Sequence, residues 1–264
     1  MRLFALFGDP VAHSLSPRLH NSALNALGLS GAYIRYLLKD GDTLIDKFKR
    51  LGLSGANITV PHKHVAAMQA DVKSEFVLKV GAANTLVQRD DKIYAFNTDA
   101  PGFLRAISKF SDVKKVLVLG AGGTALALAH ALKDSGADVS VLNRSKSRLA
   151  SFETDFRTFT WESFEFGDFD LVLNTTSAGL KDELLPAPSE ILRPALKHAR
   201  YAFDVIYGKE TPFLQMAKSL NIPNKDGADM LLFQAVLAFN LFFDNTLKES
   251  SIINSMREAF SLPR

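Results

Sequence analysis

The chain has 264 residues, of which 47% are hydrophobic, and 31 basic against 28 acidic residues give it a formal net charge of +3. This length and apolar content can fill two modest cores, so we expect two α/β domains of roughly 100–150 residues each. The acidic residues are interspersed and no long basic run occurs, which argues against a nucleic-acid partner; the absence of cysteine excludes disulfides and thiolate metal sites and suits a cytoplasmic location.

The first predicted strand, residues 3–7, is a short apolar run that the sequence Gly-Asp-Pro at 8–10 interrupts. Ser16 is then the expected N-cap of a helix, because Pro17 suits the first helical position. Ser14 and Ser16 therefore lie in a strand-to-helix loop. On the local sequence alone, turn and cap roles explain both serines best.

Lys63 is predicted to lie at the end of a buried strand. Residues 55–60 have the apolar composition of such a strand, and Pro61 removes a hydrogen-bond donor and stops it. Lys63 would then lie just beyond the sheet, at the edge where open α/β sheets bind ligands. The simpler explanation is that Lys63 only opens a surface helix over 62–68.

A second chargeable side chain, Asp99, also follows a strand. It ends the sequence Asn-Thr-Asp and is the expected N-cap of a helix over 100–110. Before it, Asn84 lies in a loop that enters a strand at 85–87. A lysine and an aspartate at strand ends can converge on one pocket, although each residue alone is more often structural than catalytic.

The next elements carry a dinucleotide-binding fingerprint. Residues 114–119 predict an apolar strand that runs directly into the sequence GAGGTA, and a helix over 126–133 follows. This is G-x-G-x-x-A in the strand–turn–helix setting that the fingerprint requires. The expected cofactor contacts in this loop are Gly120, Ala121, Gly122 and Gly123.

The following strand, residues 137–142, should end beside the adenosine ribose of the dinucleotide. An NAD enzyme usually has Asp or Glu there to accept from the ribose 2′-hydroxyl, whereas this chain has NRSKSR at 143–148. A solvated helix start is the alternative, but cations in a first helical turn oppose the helix dipole. The segment therefore predicts NADP, with its 2′-phosphate held by Asn143, Arg144, Ser145 and Arg148.

A third cofactor segment is predicted where residues 168–174 form another buried strand. The strand ends in the small polar residues Thr175, Thr176 and Ser177. Residues 204–207 should close the last strand of this module.

Two side chains near the end of the chain have an open interpretation. Tyr207 is as well explained by core packing as by a ligand contact. Gln234 falls on the apolar side of a long helix that runs toward Phe243, so it is either a satisfied core amide or a ligand contact. This helix is too short to span a bilayer and no signal sequence precedes the first strand, so we expect no membrane partner.

These segments together resemble the shikimate dehydrogenase family. The resemblance rests on residues 8–21 (GDPVAHSLSPRLHN), 57–63 (NITVPHK), 81–85 (GAANT) and the later segments, which match in order and spacing to about residue 235. It implies reversible, NADPH-dependent reduction of 3-dehydroshikimate to shikimate, on the route to chorismate and the aromatic amino acids.

The resemblance also implies a fold and its domains. We expect an α/β protein with an N-terminal substrate-binding and catalytic domain built on a mostly parallel sheet, formed by residues 1–98 and 227–264. A Rossmann domain that binds NADP would occupy residues 99–226, with the cleft between the two domains.

Site roles follow from the same resemblance. In the family, hydroxyls matching Ser14 and Ser16 hold the substrate carboxylate, which suits neutral donors beside a helix N-terminus. Lys63 would contact the reacting oxygen and transfer the proton, and Asp99 would orient it. The other implied contacts with the substrate are Thr59, Asn84, Asp99, Tyr207 and Gln234; those with the cofactor are Thr175, Thr176, Ser177, Val205 and Gly227.

The sequence departs from the family in two places. Thr124-Ala125-Leu126 follows the glycine loop where the family often has a basic residue, so affinity for NADP can be lower. His64 follows the lysine where an acidic residue is common, and with His62 it is too sparse a pair for a metal site.

Three alternative functions share parts of this pattern. An NAD-using quinate/shikimate dehydrogenase should have an acidic residue at the end of the strand over 137–142, which is absent here. A non-catalytic ligand sensor should have lost the Lys63 and Asp99 pair. A glutamyl-tRNA reductase should lack the two serines and carry a nucleophilic cysteine. The small-molecule partner is therefore shikimate or 3-dehydroshikimate, and both a monomer and a homodimer fit the sequence.

Overall fold

A computed structural model describes residues 1–261 and divides the chain into two compact units. The first unit comprises Met1–Gly102 and the segment that begins at Leu232, and the second comprises Phe103–Leu231. Each unit has its own sheet, of six strands among the described residues.

The first unit alternates strands and helices. Its strands are β1 (Arg2–Gly8), β2 (Gly31–Leu37), β3 (Gly55–Ile58), β4 (Val72–Lys73), β5 (Thr85–Arg89) and β6 (Lys92–Phe96). Its helices are α1 (Ser16–Ala26), α2 (Leu44–Arg50), α3 (Lys63–Gln69), α4 (Glu75–Val80), the start of α5 (Asp99–Ala106), most of α9 (Ala228–Phe242), and α10 (Glu249–Ser261).

The sheet of the first unit has the order β2-β1-β3-β5-β6-β4. β1 is parallel to β2 and β3, and β4 is parallel to β6, whereas β5 is antiparallel to both β3 and β6. Because β5 runs against β3, the start of β5 and the end of β6 lie at the same edge as the carboxyl ends of β1 and β3. This edge carries the predicted substrate residues.

Apolar side chains cover both faces of this sheet. On one face Phe7, Phe48 and Leu86 belong to a cluster of buried residues with α2 and α3. On the other, the C-terminal helices return to the first unit: the rings of Phe4 and Phe242 stack with centroids 4.8 Å apart. Aromatic pairs of this kind add about 0.5–1.5 kcal/mol beyond their buried area.

The second unit is a parallel α/β sheet. Its strands are β7 (Lys115–Leu119), β8 (Asp138–Leu142), β9 (Arg157–Phe159), β10 (Leu171–Asn174), β11 (Tyr201–Asp204) and β12 (Asn224–Lys225), and its helices are the end of α5, α6 (Gly123–Asp134), α7 (Ser189–Lys197), α8 (Pro212–Ser219) and the start of α9. The order β12-β11-β10-β7-β8-β9, with every pairing parallel, is that of a Rossmann fold. The strand order reverses between β7 and β10, where such sheets bind dinucleotides.

The predicted two-domain α/β architecture with a Rossmann domain is confirmed. The boundaries between the units lie a few residues later than the predicted 98/99 and 226/227, because each falls inside a continuous helix, α5 or α9. In addition, residues 204–207 do not close the last strand of the second unit, since β12 follows β11.

Two predicted helix caps are wrong. Ser16 is the first residue of α1 rather than its cap; Leu15 precedes the helix and no side chain caps it. Asp99 does not cap α5 either, because the Asn97 Oδ1 accepts from the backbone N–H groups of Asp99 and Ala100, at 3.1 and 3.2 Å. The carboxylate of Asp99 is therefore available for another partner.

Candidate active site

Lys63 and Asp99 form a close ion pair in the first unit. The Lys63 Nζ lies 2.6 Å from the Asp99 Oδ2, and the two side chains are only 12% and 10% exposed. Lys63 begins α3, directly after β3, and Asp99 begins α5, directly after β6. The pair fixes the Lys63 amino group at the edge of the sheet that carries the predicted substrate residues, an arrangement that could serve proton transfer to a substrate oxygen.

Asn84 is buried beside this pair in an orientation that its neighbours determine. Its Oδ1 accepts from the Thr98 backbone N–H at 2.7 Å, and its Nδ2 donates to the Thr98 Oγ1 at 3.0 Å. Because a backbone N–H can only donate, the oxygen of this amide must face Thr98. The Nδ2 also lies 3.5 Å from the Gln234 Oε1 on α9, and Gln234 is buried, as its place on the apolar side of the helix predicted.

Ser14 and Ser16 are buried in the loop between β1 and α1 and contact each other. The Ser14 Oγ donates to the Ser16 Oγ at 3.2 Å and accepts from the Ser16 backbone N–H at 3.2 Å. Arg35 holds this loop by donating to the Ser14 carbonyl through its Nε and Nη2, at 3.2 and 2.6 Å. Thr59 follows β3, the neighbour of β1, so it leaves the same edge of the sheet.

A buried hydrogen-bonded chain supports Asn84, and the sequence did not predict it. The Tyr33 hydroxyl donates to the Asn57 Oδ1 at 2.8 Å, the Asn57 Nδ2 donates to the Thr85 Oγ1 at 3.1 Å, and the Thr85 hydroxyl donates to the Asn84 Oδ1 at 3.0 Å. The first two links join residues on different strands, so no local motif reveals them. Polar residues at buried strand positions were the available signal.

His20 lies behind this chain. Its ring stacks on Tyr33, with centroids 4.2 Å apart and planes 12° from parallel. Among the described residues, neither ring nitrogen of His20 has a hydrogen-bond partner, and burial lowers its pKa to about 3. Burial also raises the pKa of Tyr33 well above its usual value, so both groups are neutral across the physiological range.

In the second unit, the glycine loop lies at the point where the strand order reverses. Gly120 has φ +104°, a conformation that residues with a Cβ rarely adopt, and an added Cβ would lie 2.9 Å from the Thr175 Oγ1. Gly122 then precedes α6. The bare backbone and the helix N-terminus are suited to a dinucleotide pyrophosphate.

The basic segment 143–148 is exposed at the end of β8. Arg144 and Arg148 are exposed, and neither makes an ion pair within residues 1–261. Asn143 holds the turn by donating from its Nδ2 to the Ser145 carbonyl at 2.9 Å. The segment forms only a short 3-10 turn at Lys146–Arg148. The alternative of a solvated helix start is therefore wrong, and the helix-dipole argument made against it does not apply.

The other predicted cofactor residues lie on loops after β10, β11 and β12, and Tyr207, predicted to contact the substrate, lies on the loop after β11. Thr175 and Thr176 are partly buried, and the Thr175 Oγ1 donates to the Leu119 carbonyl at 2.7 Å. Val205 and Tyr207 follow β11 and are partly buried. Gly227 donates from its backbone N–H to the Ile206 carbonyl at 2.9 Å. The second unit therefore brings the predicted cofactor loops to the same edge of its sheet.

The part of the chain that the structure describes contains no group of three or more residues suited to hold a metal ion. None of its helices is both long and apolar enough to cross a bilayer.

Comparison with known proteins gives consistent results for both units. Residues 6–86 match the family model of the shikimate dehydrogenase substrate binding domain, and residues 115–183 match that of pyridine nucleotide-disulphide oxidoreductases. The chain is similar to the NADP(+) shikimate dehydrogenase of Helicobacter hepaticus, with 43% identity over 90% of both chains, and to that of Helicobacter acinonychis, with 40% identity over 98% of this chain and 99% of the other.

A solved structure extends the comparison to the fold. Shikimate 5-dehydrogenase from Thermus thermophilus, in complex with NADP(H) and shikimate, superposes with a TM-score of 0.85. It shares 36% identity, and the match covers 98% of this chain and 100% of that one.

Proposed function

The chain belongs to the shikimate dehydrogenase family, and we propose that its first unit binds shikimate or 3-dehydroshikimate while its second unit binds NADP(H). It is an NADP-dependent oxidoreductase that reduces 3-dehydroshikimate to shikimate reversibly. The observation that carries the assignment of residues is the buried Lys63–Asp99 pair, at the sheet edge where the polar residues Ser14, Asn84 and Gln234 also lie.

Lys63 is the proton donor in this proposal. NADPH, when bound, supplies the hydride that adds to the ketone carbon. The carbonyl oxygen then needs one proton, which the Lys63 ammonium can deliver, and the neutral amine can take it back in the oxidation. Asp99 orients the ammonium group through the 2.6 Å contact.

The other polar residues of the first unit would hold the ring. Ser14 and Ser16 offer hydroxyl donors for the carboxylate at the start of α1, while Thr59 and Asn84 face the ring hydroxyls. A site built from such donors discriminates strongly against rings that lack the matching hydroxyl, because its own polar groups would then be left unpaired.

The residues of the second unit fit NADP. Gly120 leaves space where a side chain would meet Thr175, and Arg144 and Arg148 are exposed cations at the end of β8. Arginine can hold a phosphate through two parallel charge-assisted hydrogen bonds. No carboxylate stands in residues 143–148 to accept from a ribose 2′-hydroxyl, which supports NADP over NAD.

The proposal also includes two broader statements. A cytoplasmic location suits a chain without cysteine. The enzyme would be a monomer or a homodimer that acts on small molecules and not on nucleic acid, and light scattering at assay concentrations measures its state.

The decisive experiment is an assay of the purified protein with shikimate and quinate, each against NADP and NAD. We expect the shikimate and NADP combination to give the highest kcat/KM. Comparable values for NAD and NADP would favour an NAD-using quinate/shikimate dehydrogenase. No turnover with any combination would favour a ligand sensor.

A further inference from the structure

Asn174 and Asp204 end two neighbouring strands of the second unit and face each other. They are register partners in the parallel pair β10 and β11, and both are completely buried. The carboxyl end of β10 adjoins β7 and its glycine loop, where the strand order reverses, and β11 lies on the other side of β10. A buried carboxylate in this position needs donors around it, and the structure supplies them.

Asp204 accepts from three groups on different parts of the chain. Its Oδ1 accepts from the Asn174 Nδ2 at 3.1 Å and from the Ile206 backbone N–H at 3.0 Å. Its Oδ2 accepts from the Thr211 Oγ1, which precedes α8, at 2.6 Å. One side chain therefore joins β10, the loop after β11 and the start of α8.

The contact with Asp204 determines which way the Asn174 amide points. A carboxylate only accepts, so the Nδ2 must face it, and the Oδ1 must face the other side. There the Oδ1 accepts from the Thr176 backbone N–H at 3.0 Å and from the Thr176 Oγ1 at 2.8 Å. The orientation of the Thr175–Thr176 turn thus depends on Asp204 through a single amide.

Both loops that Asp204 holds lie against glycines of the predicted cofactor site. A Cβ at Gly120 would lie 2.9 Å from atoms of Thr175 and Thr176, and a Cβ at Gly227 would lie 2.2 Å from the Val205 carbonyl oxygen. Small displacements of these loops would therefore alter the surface that the dinucleotide meets.

We propose that Asp204 is a positioning residue for the part of the NADP site remote from the 2′-phosphate. Its carboxylate orients the Asn174 amide and the Ile206 backbone, and these set the loops that carry Thr175, Thr176 and Val205. The basic segment 143–148 makes none of these contacts, so binding of the 2′-phosphate does not depend on Asp204. This inference rests on the proposed function, because the loops are cofactor contacts only if the second unit binds NADP.

Asp170 offers a matched control at the opposite edge of the same sheet. It precedes β10, and its Oδ2 accepts from the backbone N–H groups of Lys114 and Lys115, at 2.9 and 2.8 Å. Its Oδ1 pairs with Arg200 at 3.3 Å. Asp170→Ala therefore removes a carboxylate that holds backbone groups, but not at the ends of the strands where the cofactor would lie.

The test uses the whole protein and two probes, NADPH and adenosine 2′,5′-bisphosphate. The second probe has the 2′-phosphate but no nicotinamide. Asp204→Ala removes both acceptor oxygens, so the Asn174 amide loses the partner that fixes its orientation. We expect the Kd of NADPH to rise about tenfold, and that of adenosine 2′,5′-bisphosphate to change less than about twofold. Asp170→Ala should leave both Kd values unchanged. Asn174→Ala, which releases Thr176 directly, should reproduce the Asp204→Ala result and replaces it if that variant does not fold.

Three results would overturn the inference. Asp204→Ala and Asn174→Ala could bind NADPH like the wild type. They could lose both probes in equal measure, which would indicate a general loss of structure in the second unit. Finally, a wild-type protein that bound neither probe would contradict the proposed function itself and the inference with it, whereas the first two results leave the proposed function intact.

Discussion

Each unit has one charged group that would meet a ligand in the proposed function: the Lys63–Asp99 pair in the first unit and the basic segment 143–148 in the second. The two groups differ in how far their side chains are already positioned before a ligand binds. Lys63 and Asp99 are almost buried and already 2.6 Å apart. Arg144 and Arg148 are exposed and make no ion pair within the described part of the chain. The pair in the first unit is preorganised, whereas in the proposed function the arginines would gain their partner only when a phosphate binds.

The difference follows from what each site has to do. A proton donor must be correctly placed in the transition state, and surrounding groups that fix it in advance avoid reorganisation during the reaction. A phosphate-binding site only has to bind its ligand. Exposed arginines can do so without the desolvation cost of a buried cation. Substitutions at the two sites should therefore affect different kinetic constants.

The largest effect is expected for Lys63→Ala. Removing the proton donor should lower kcat about 10²- to 10⁴-fold, while the Kd of shikimate rises little, because proton transfer matters mainly in the transition state. Steady-state kinetics and calorimetric titration of shikimate check the two parts. Asp99→Ala should lower kcat and also weaken shikimate binding, since in the proposed function the carboxylate would accept from a ring hydroxyl too. Near-normal turnover in Lys63→Ala would remove it from the mechanism.

The next effect concerns the arginines. Arg144→Ala and Arg148→Ala should each lower kcat/KM for NADP by roughly ten- to a hundredfold, because each removes a charge-assisted contact of about 1.5–3 kcal/mol. The rate with NAD should hardly change, since NAD has no 2′-phosphate. The double variant should lose nearly all preference for NADP. A parallel loss of the NAD rate would mean that the substitutions disturb the second unit instead.

The two serines should give a smaller change, in KM rather than in kcat. Replacing Ser14 and Ser16 together with Ala should raise the shikimate KM roughly tenfold, because each hydroxyl contact contributes about 0.5–1.5 kcal/mol and serves ground and transition states alike. The KM of NADP serves as the internal control and should stay unchanged. If both KM values rose together, collapse of the loop after β1 would be the better explanation.

The smallest effect at neutral pH, and one confined to stability, is expected at His20. Its pKa of about 3 in the folded protein lies below the ordinary value of 6.5, so the unfolded chain binds an extra proton between these values. The contribution of His20 to the free energy of unfolding is therefore most favourable above about pH 6.5. It falls as the pH drops toward 3, with a maximal slope of about 1.4 kcal/mol per pH unit. His20→Phe should remove this component.

Denaturant unfolding at several pH values between neutral and mildly acidic measures the effect of His20. The free-energy difference between wild type and His20→Phe should change with pH, with the wild type losing stability faster on acidification. If the free energies of unfolding of the two proteins changed with pH in parallel, His20 would take up its proton in the folded protein, which would contradict the lowered pKa. Arg144 and Arg148 are exposed and carry no such cost of burial. Their substitution should leave the pH dependence of the free energy of unfolding unchanged.

Local patterns predicted much of the fold and of both sites. The glycine loop between β7 and α6 and the strands that precede Lys63 and Asp99 depend on local composition, so the sequence reveals them. Local sequence did not predict the helix caps correctly. Asn97 and Asp99 are both able to cap α5, and in the structure Asn97 accepts from its first N–H groups. That outcome leaves the Asp99 carboxylate to Lys63.

The long-range polar contacts could not be predicted. Tyr33, Asn57 and Thr85 lie on three different strands and are linked in series, and none of the three is conspicuous in its own segment. The same holds for Asp204 and Asn174, which meet only because β10 and β11 are adjacent. Sequence periodicity gives the buried face of an element but not the partner across the sheet.

The contrast is between the preorganised Lys63–Asp99 pair and the exposed arginines that would bind a phosphate. Its most direct test is how kcat and the KM values of NADP and NAD change with ionic strength in the wild-type enzyme. Exposed charges are screened within about 10 Å at 0.1 M ionic strength and within about 3 Å at 1 M, whereas buried pairs are screened much less. Raising the ionic strength across this range should therefore increase the KM of NADP several-fold, with kcat and the KM of NAD nearly constant. A kcat that falls with salt, or a preference for NADP that salt does not weaken, would contradict this account.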